Sequence, residues 1–358
     1  FSGEPDPAKL RALVGKLLGE AEQAGTLAPA PLALKAAAPA GGRFRFPGKL
    51  KPVPGEPKRW ALADSGHHQI VLLDGEANEL KRYGSGRPGF DDGPADEASF
   101  RDPQGLASDG RAIYVADTGN HGIRRIDLAS GDVATLAGIG RRGPLLGGPL
   151  PGAQAALASP WDLEVDGSLL YFANAGSHQL SLLDLASGQV AALAGDGAEA
   201  LGDGPAAEAH LAQPSGLALD QAGGTLYFLD SETSSLRALH LDRPRRVTTL
   251  IGTGLFDFGH VNGALGDARL QHPLGLAWHD GTLLIADSYN NAARVVDLGH
   301  EEIRDLDNGF LCTDPVCLPN HEPAGIAVDG ERVLVVDTNN HRIVALDPKT
   351  RTTWTWAA

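Results

Sequence analysis

A short motif recurs six times along this chain of 358 residues. Each copy has an apolar run, an Asp or Asn, a short polar or small-residue turn and a second apolar run. The Asp or Asn positions are Asp64, Asp117, Asn174, Asp230, Asp287 and Asp337. Successive copies lie 53, 57, 56, 57 and 50 residues apart. Six copies at so regular a spacing predict six stacked supersecondary units.

Each unit has room for four short strands. In the second copy these segments are 105–108, 112–116, 123–128 and 133–137, separated by turn residues. A proline opens the unit, and an apolar residue stands three places before it, as in Phe100 and Pro103. We therefore predict an all-β fold, a closed six-bladed β-propeller over residues 44–358. The ring is expected to close either by side-by-side packing of complete first and last blades or by an added N-terminal strand such as Leu32–Lys35.

The residues repeated at the turn between the second and third strands are predicted to be structural. The Asp or Asn side chain is expected to accept backbone N–H groups two residues on and so close an Asx turn. His68, His121, His178 and His341 share one position in the repeat, where a ring nitrogen would bridge to the neighbouring blade. Metal binding by these histidines is the alternative, but blades that radiate from an axis carry the side chains apart.

Two of these turns resemble the Asn-His-x-(Leu/Ile) signature of the NHL-repeat family. They are Asn120-His121-Gly122-Ile123 and Asn340-His341-Arg342-Ile343. Strings such as Ser159-Pro160-Trp161-Asp162 and Gln213-Pro214-Ser215-Gly216 are similar to a subfamily in which a thioredoxin-like domain precedes an NHL propeller. The resemblance implies a non-catalytic propeller that binds a protein or peptide partner. Any thiol–disulfide oxidoreductase activity would then belong to the thioredoxin-like domain to which the propeller is attached.

The long loops between blades, such as 138–159 and 252–272, are predicted to share one face with the second-to-third-strand turns. The opposite face receives only short turns, such as Asp166-Gly167. Long loops on a rigid scaffold carry function, so we expect the partner on the long-loop face. The predicted binding residues at the channel mouth are Gln104, Trp161, Asp162, Ser215 and Leu274. Trp161 is expected to be either an interface hot spot or an aromatic packed between blades.

Catalytic motifs are absent from the sequence. It contains neither Gly-x-Ser-x-Gly nor His-Glu-x-x-His. Inner strands such as Gly105-Leu106-Ala107 are small and apolar, and only Asp162 and Glu164 offer carboxylates there. The alternative function is a propeller lyase or lactonase with a metal ion on the axis. We expect no catalytic residue, no metal and no cofactor in this chain.

Gly-rich acidic loops precede several blades, at residues 89–93, 201–204 and 261–263. Their oxygens suit a calcium ion, whereas their glycines suit turns with positive φ. The spacing does not match the twelve-residue calcium-binding loop, which favours turns.

The charge balance disfavours two kinds of partner. A net charge of −15 removes the electrostatic attraction that dominates nucleic-acid binding and attraction to anionic membranes. We therefore expect neither nucleic acid nor membrane as a partner, since RNA binding, which some NHL propellers perform, needs a basic face. We expect a monomer in the cytoplasm.

Cys312 and Cys317 are the only cysteines of the chain and lie in the loop before the sixth blade. They form either a local disulfide, with a contribution of about 2 kcal/mol from loop closure, or a pair of free thiols in a reducing cytosol. A disulfide would favour a periplasmic location over a cytoplasmic one.

The N-terminal segment predicts a separate element. Asp6 and Pro7 suit a helix start, and Gly25 suits its end. Apolar residues form one stripe at helical spacing, at Leu10, Leu13, Val14, Leu17, Leu18 and Ala21. We interpret residues 1–28 as the C-terminal helix of a thioredoxin-like domain whose body is missing, and 29–43 as an Ala/Pro-rich linker. The alternative is that this helix docks on the outer edge of the propeller.

Overall fold

The computed structural model describes residues 7–27, 42–307 and 309–358. Residues 42–358 form a compact domain. Its strands form six sheets of four antiparallel main strands each. From the inner strand to the outer, blade 1 is Leu50–Val53, Arg59–Asp64, Gln69–Asp74 and Glu79–Tyr83. Blade 2 is Leu106–Ser108, Ala112–Asp117, Gly122–Asp127 and Val133–Ala137. Blade 3 is Pro160–Asp166, Leu169–Asn174, Gln179–Asp184 and Gln189–Ala194.

The remaining three blades repeat this arrangement. Blade 4 is Pro214–Asp220, Thr225–Asp230, Ser235–His240 and Arg246–Ile251. Blade 5 is Gly275–His279, Thr282–Asp287, Ala292–Asp297 and Glu302–Asp305. Blade 6 is Gly325–Asp329, Arg332–Asp337, Arg342–Asp347 and Thr352–Ala357. A 3₁₀ turn joins the second strand to the third in each blade, at Ser65–His67, Thr118–Asn120, Ala175–Ser177, Ser231–Thr233, Ser288–Asn290 and Thr338–Asn340.

The inner strand of each blade contacts the inner strands of its two neighbours, and the inner strands of blades 6 and 1 also meet. The apolar side chains of adjacent blades pack into shared clusters, because strands buried on both faces are apolar at nearly every position. The predicted six-bladed β-propeller is thereby confirmed.

The ring closes by packing two complete blades side by side. Blades 1 and 6 each contain four strands of their own, and a cluster that includes Trp60 and Leu334 joins them. The Thr338 hydroxyl donates to the Pro47 carbonyl at 2.8 Å. The alternative N-terminal strand at residues 32–35 lies outside the described residues.

The loops that lead into the blades first run along an outer edge. Two-residue strands pair antiparallel with the outer strands of blades 3, 4 and 5, at Leu150–Pro151, Gly204–Pro205 and Gly263–Ala264. On blade 6 the corresponding strand, Leu311–Cys312, pairs in the parallel direction. This loop holds the Cys312–Cys317 disulfide. A further short 3₁₀ turn spans Gly152–Gln154.

The described N-terminal segment, residues 7–27, contains one helix, Pro7–Gln23. Gly25 follows it with a φ of 64°, and the Thr26 N–H donates to the Ala21 carbonyl, so the helix ends at the predicted glycine. Its apolar stripe is exposed, with Leu17 and Leu18 at 54% each. The predicted cap Asp6 and most of the predicted linker lie outside the described residues. No helix in the described part of the chain is both long and apolar enough to cross a membrane.

Candidate functional site

The repeated Asp or Asn side chains bind the loop that leads into their own blade. In every blade one side-chain oxygen accepts the backbone N–H of the residue two places before the opening proline, as Asp117 does from Arg101 at 2.8 Å. The other five bonds are 2.7–2.8 Å long and join Asp64 to Arg45, Asn174 to Ala158, Asp230 to Ala212, Asp287 to Gln271 and Asp337 to His321. None of these side chains caps its own turn. The expected Asx turn is therefore wrong, because the donor comes from the incoming loop.

The repeated histidines bind the loop that leads into the next blade. His121 has a left-handed φ of 53°, and its Nδ1 accepts the Ser159 N–H at 3.0 Å. The equivalent bonds join His68 to Asp102, His178 to Gln213 and His341 to Phe46. Ser234 and Asn291 accept the same bond in blades 4 and 5. Burial, with Arg142 and Arg101 nearby, lowers the pKa of His121, which favours the neutral ring that can accept.

Buried arginines neutralise most of the turn carboxylates. Arg124 is fully buried and donates to Asp117 at 2.9 Å. Arg237 and Arg294 make the same pair with Asp230 and Asp287 in blades 4 and 5. Burial raises the pKa of Asp117 to about 6, against the lowering effects of its donors. Burial likewise raises the pKa of Asp230 to about 6, against the effect of Arg237.

The acidic loops belong to the same network. Asp92 accepts from Arg124 at 2.7 Å and from both the N–H and the hydroxyl of Thr135. Asp203 binds Arg237 and Thr249 in the same way. These oxygens are therefore used to fix the loop onto the outer strand, and the arginine beside each carboxylate opposes a cation there. The turn interpretation is the one that these contacts support.

The predicted binding residues differ in accessibility. Gln104, Trp161 and Leu274 are half-buried, and Trp161 packs against the cluster between blades 3 and 4. Ser215 is 2% exposed and donates to the Pro273 carbonyl at 3.0 Å. Asp162 is fully buried. Ser215 and Asp162 therefore do not present their side chains at the surface, because both are used in contacts inside the ring.

Large exposed apolar side chains concentrate on the connecting loops. We call the surface formed by the incoming loops and the second-to-third-strand turns the long-loop face, since turn and loop touch, as in the bond from Gly119 N–H to the Arg101 carbonyl. Among described propeller residues, the large exposed apolar side chains in these loops and turns are Phe46, Leu145, Phe256, Phe258, Val261, Tyr289, Val316 and Leu318. Two more lie on strands, Leu80 on the outer strand of blade 1 and Leu311 on the two-residue strand at the outer edge of blade 6.

Two charged layers cross the propeller axis. The first contains Lys49 of blade 1 and Asp162 of blade 3, with 3.8 Å between Nζ and Oδ2. Both are almost completely buried, at 3% and 0% side-chain exposure. Lys49 also donates to the Leu274 and Ala324 carbonyls, and Asp162 accepts from the N–H groups of Leu163 and Leu217. Burial lowers the pKa of Lys49 to about 8, while Asp162 opposes that shift.

The second layer contains Lys51 and Glu164, whose Nζ and Oε1 lie 2.5 Å apart. Burial raises the pKa of Glu164 despite Lys51. Burial also disfavours the charge of Lys51, but Glu164 and Asp162 outweigh it and raise that pKa. Asp162 and Glu164 were predicted near the axis from the sequence, whereas Lys49 and Lys51 were not. The signal was available, because Lys49 and Lys51 stand at the same distances after Pro47 as Asp162 and Glu164 after Pro160.

A cavity of about 250 Å³ lies beside the second layer, near the ends of the inner strands that lead to the short turns. It is lined by Lys51, Pro52, Glu164, Leu219, Ala277, Trp278, Ile326, Ala327 and Val328. In the part of the chain that the structure describes, no three His, Cys, Asp or Glu side chains come together as metal ligands would.

The fold and its turns define an NHL-type propeller, and comparison with known proteins agrees. The family model of the NHL repeat matches residues 100–126 and 320–346. The chain is 36% identical to NHL repeat-containing protein 2 of Homo sapiens over 342 residues, which cover 86% of this chain and 47% of that protein. It is also 36% identical to protein SUPPRESSOR OF QUENCHING 1, chloroplastic, of Arabidopsis thaliana, over 85% of this chain and 30% of that protein.

Solved structures share the fold at low identity. A chain of a nidogen/laminin complex matches with a TM-score of 0.55 and 17% identity, over 81% of this chain and 89% of that one. A streptogramin B lyase matches with a TM-score of 0.54 and 12% identity, over 88% and 84%. The chain therefore belongs to the NHL-repeat β-propellers and is homologous to NHL repeat-containing protein 2. It spans about half the length of those animal relatives, at 47%.

Proposed function

We propose that this propeller is a non-catalytic binding platform and that a protein or peptide partner docks on its long-loop face. The observation that carries the proposal is the position of the large exposed apolar side chains. Among described propeller residues, all of them except Leu80 and Leu311 lie on that face. Apolar side chains exposed in one region mark interaction sites more often than scattered ones do. The strands below them are fixed by the turn network, so the loops are presented on a rigid support.

The loop and turn of blade 5 carry the strongest part of this surface. Phe256 is 92% exposed and Phe258 is 55% exposed in the incoming loop. Tyr289, on the turn of the same blade, is 52% exposed and stacks on His272 with 4.5 Å between the rings. Aromatic side chains held in place before binding lose little entropy in an interface, and they dominate interface energies.

The experiment is a capture assay followed by direct binding. A partner is captured by the immobilised chain, identified by cross-linking, purified and titrated against the variant Phe256→Ser/Phe258→Ser. We expect affinity to fall by about tenfold or more, equivalent to about 1.4 kcal/mol. The matched control is Leu80→Ser, which removes a side chain of 51% exposure from an outer strand and should leave affinity unchanged. Loss of binding in the control alone would place the site elsewhere.

The channel mouth gives a second arm of the same titration. We expect Trp161→Ala combined with Gln104→Ala to weaken binding of the partner, because both half-buried side chains directly follow an opening proline at the inner end of the long-loop face. Asp166→Ala and Asp280→Ala change short turns on the opposite face and should have no effect. The reverse pattern would move the partner to the short-turn face.

The attachment of the platform to a thioredoxin-like domain is part of the proposal and rests on the sequence resemblance. The test is the gene sequence upstream of Phe1, which should encode a βαβ pattern with a thioredoxin-type Cys motif. The present chain alone should show no thiol–disulfide oxidoreductase activity. Thiol counting with and without reductant would test the Cys312–Cys317 disulfide in the purified chain, and an oxidised pair favours a periplasmic over a cytoplasmic location.

The lyase or lactonase alternative predicts a divalent metal bound on the axis. Lys49 and Lys51 both point to this region, and their positive charges oppose a cation there. Metal analysis of the purified chain separates the two functions, since bound stoichiometric metal would support the enzyme.

A further inference from the structure

The axial charges of the second layer are not required by the fold. The same inner-strand position holds Lys51, Ala107, Glu164, Ala218, Ala277 and Ala327 in blades 1 to 6, as the strand registers show. Four blades therefore close around the axis with alanine. Replacement of a buried ion pair by apolar residues is often neutral or stabilising. A pair kept at this position calls for a role beyond closure of the ring.

The first layer has a structural role in the ring, and the second does not. Lys49 and Asp162 each bind backbone groups of other strands, so they hold the ring together. Lys51 and Glu164 bind each other, and no other described residue hydrogen-bonds to either side chain. The second carboxylate oxygen of Glu164 and the remaining ammonium hydrogens of Lys51 are therefore left for a ligand, and both residues line the cavity.

Apart from Lys51 and Glu164, the residues that line the cavity are apolar. Trp278 forms one wall and stacks on Tyr227, with 5.5 Å between the rings and an angle of 16° between their planes. Leu219, Ile326 and Val328 complete the apolar lining. At about 250 Å³ the space is smaller than the roughly 300–1,000 Å³ of sites for drug-sized ligands, so the ligand is a small molecule.

Charge balance selects the class of ligand. A simple anion would bind Lys51 and leave Glu164 unpaired, and a simple cation would do the converse, so each would leave one largely buried charge without its partner. A molecule with an ammonium group and a carboxylate on one carbon compensates both partners at once. We propose that the axial cavity binds a free α-amino acid, with its charged groups on Glu164 and Lys51 and an apolar side chain against Trp278.

The experiment is isothermal titration calorimetry of the whole chain with L-leucine and L-phenylalanine. The matched probes are 4-methylpentanoate and 3-methylbutylamine, which are leucine without its amino group and without its carboxylate. We expect saturable binding of at least one amino acid and affinities at least about tenfold weaker for both single-charge probes. No heat at about 10 mM amino acid, well above the roughly 1 mM dissociation constant of a weak site, would overturn the proposal, as would equal binding of either probe.

Two variants test whether the axial cavity is the binding site. Lys51→Ala/Glu164→Ala reproduces the residues of the other four blades, so it should fold normally and lose binding. Asp280→Asn changes a short-turn carboxylate that is 93% exposed and should bind as the original chain does. Undiminished binding in the double variant would place the amino acid elsewhere. The assay does not involve the long-loop face, so its outcome is independent of the proposed protein partner.

Discussion

Blades 2 and 3 both hold their incoming loop through a buried side chain, but blade 2 uses charged residues there and blade 3 uses neutral ones. In blade 2 the turn carboxylate of Asp117 is buried with Arg124 and Asn120. In blade 3 Asn174 occupies that position, and its amide donates to Ser177. Arg124 stands opposite Val115 in the sheet, whereas the matching residue opposite Phe172 is Ser181. Blade 2 therefore has both an acid and a base at these two positions, Asp117 and Arg124, whereas blade 3 has the neutral Asn174 and Ser181.

The comparison shows that both blades keep a side-chain hydrogen-bond acceptor at this position, whereas a charge on that acceptor is not needed. Asp117 and Asn174 both accept the N–H of the incoming loop at 2.8 Å. A carboxylate needs a buried cation to compensate its charge, whereas an amide does not. The cation is not tied to one position either, since Arg82 supplies it from the outer strand of blade 1.

Removal of the cation from blade 2 should have the largest effect. We expect Arg124→Met to destabilise the chain by about 3–5 kcal/mol, because Asp117 is left buried and uncompensated. Chemical denaturation measures the loss. The control is Arg125→Met on the neighbouring position, which faces partly into solvent at 35% exposure and should cost little. Equal losses in both variants would contradict the assigned role of the buried pair.

Introduction of a charge into blade 3 should have the next largest effect. We expect Asn174→Asp to cost about 2–3 kcal/mol at neutral pH, since no arginine faces the new carboxylate. Addition of Ser181→Arg, which recreates the arrangement of blade 2, should recover part of the loss. If the double variant is less stable than Asn174→Asp alone, the two blades are not interchangeable in this respect.

The charged blade should also give the chain a pH dependence that the neutral blade lacks. Asp117 has a raised pKa of about 6 in the folded chain, above the roughly 3.9 of an unfolded Asp. Between these values the folded state binds more protons, so the group's contribution is complete below about pH 4 and is lost as the pH rises through 6. Denaturation from pH 4 to 7 should show the original chain losing about 1–2 kcal/mol relative to Asp117→Asn. A constant difference would contradict the raised pKa.

The histidine of the turn should be the most replaceable part. Asn291 accepts the equivalent inter-blade N–H at 2.8 Å in blade 5, with a left-handed φ of 54°. We therefore expect His121→Asn to change stability by no more than about 0.5 kcal/mol. His121→Ala, which leaves the Ser159 N–H without its acceptor, should cost about 1–2 kcal/mol. The two variants compared by denaturation test whether the position needs an acceptor or an imidazole.

Much of the fold was predictable because the same sequence motif occurs six times. The period, the opening prolines and the apolar runs gave the blades and their strands to within a few residues. The partners of the turn residues were harder to predict. The bridge from His121 to the neighbouring blade was predicted, but not its partner Ser159. Asp117 bonds to Arg101, sixteen residues earlier, a contact that no local turn pattern encodes.

The candidate site was predicted only in part. Gln104, Trp161 and Leu274 are half-buried and stay predictions as binding residues, whereas Ser215 and Asp162 are buried. The exposed aromatic residues of the blade 5 loop were missed, because loop sequence alone does not tell which side chains remain in water.

The sequence by itself determined the number of blades, their order and the positions that face the axis, since these follow from periodicity along the chain. Only the tertiary structure decided which of those axial residues meet. Lys51 and Glu164 are 113 residues apart and belong to different blades. They become partners because the closed ring places the same position of every inner strand around one axis, where a lysine and a glutamate, each costly to bury alone, compensate each other.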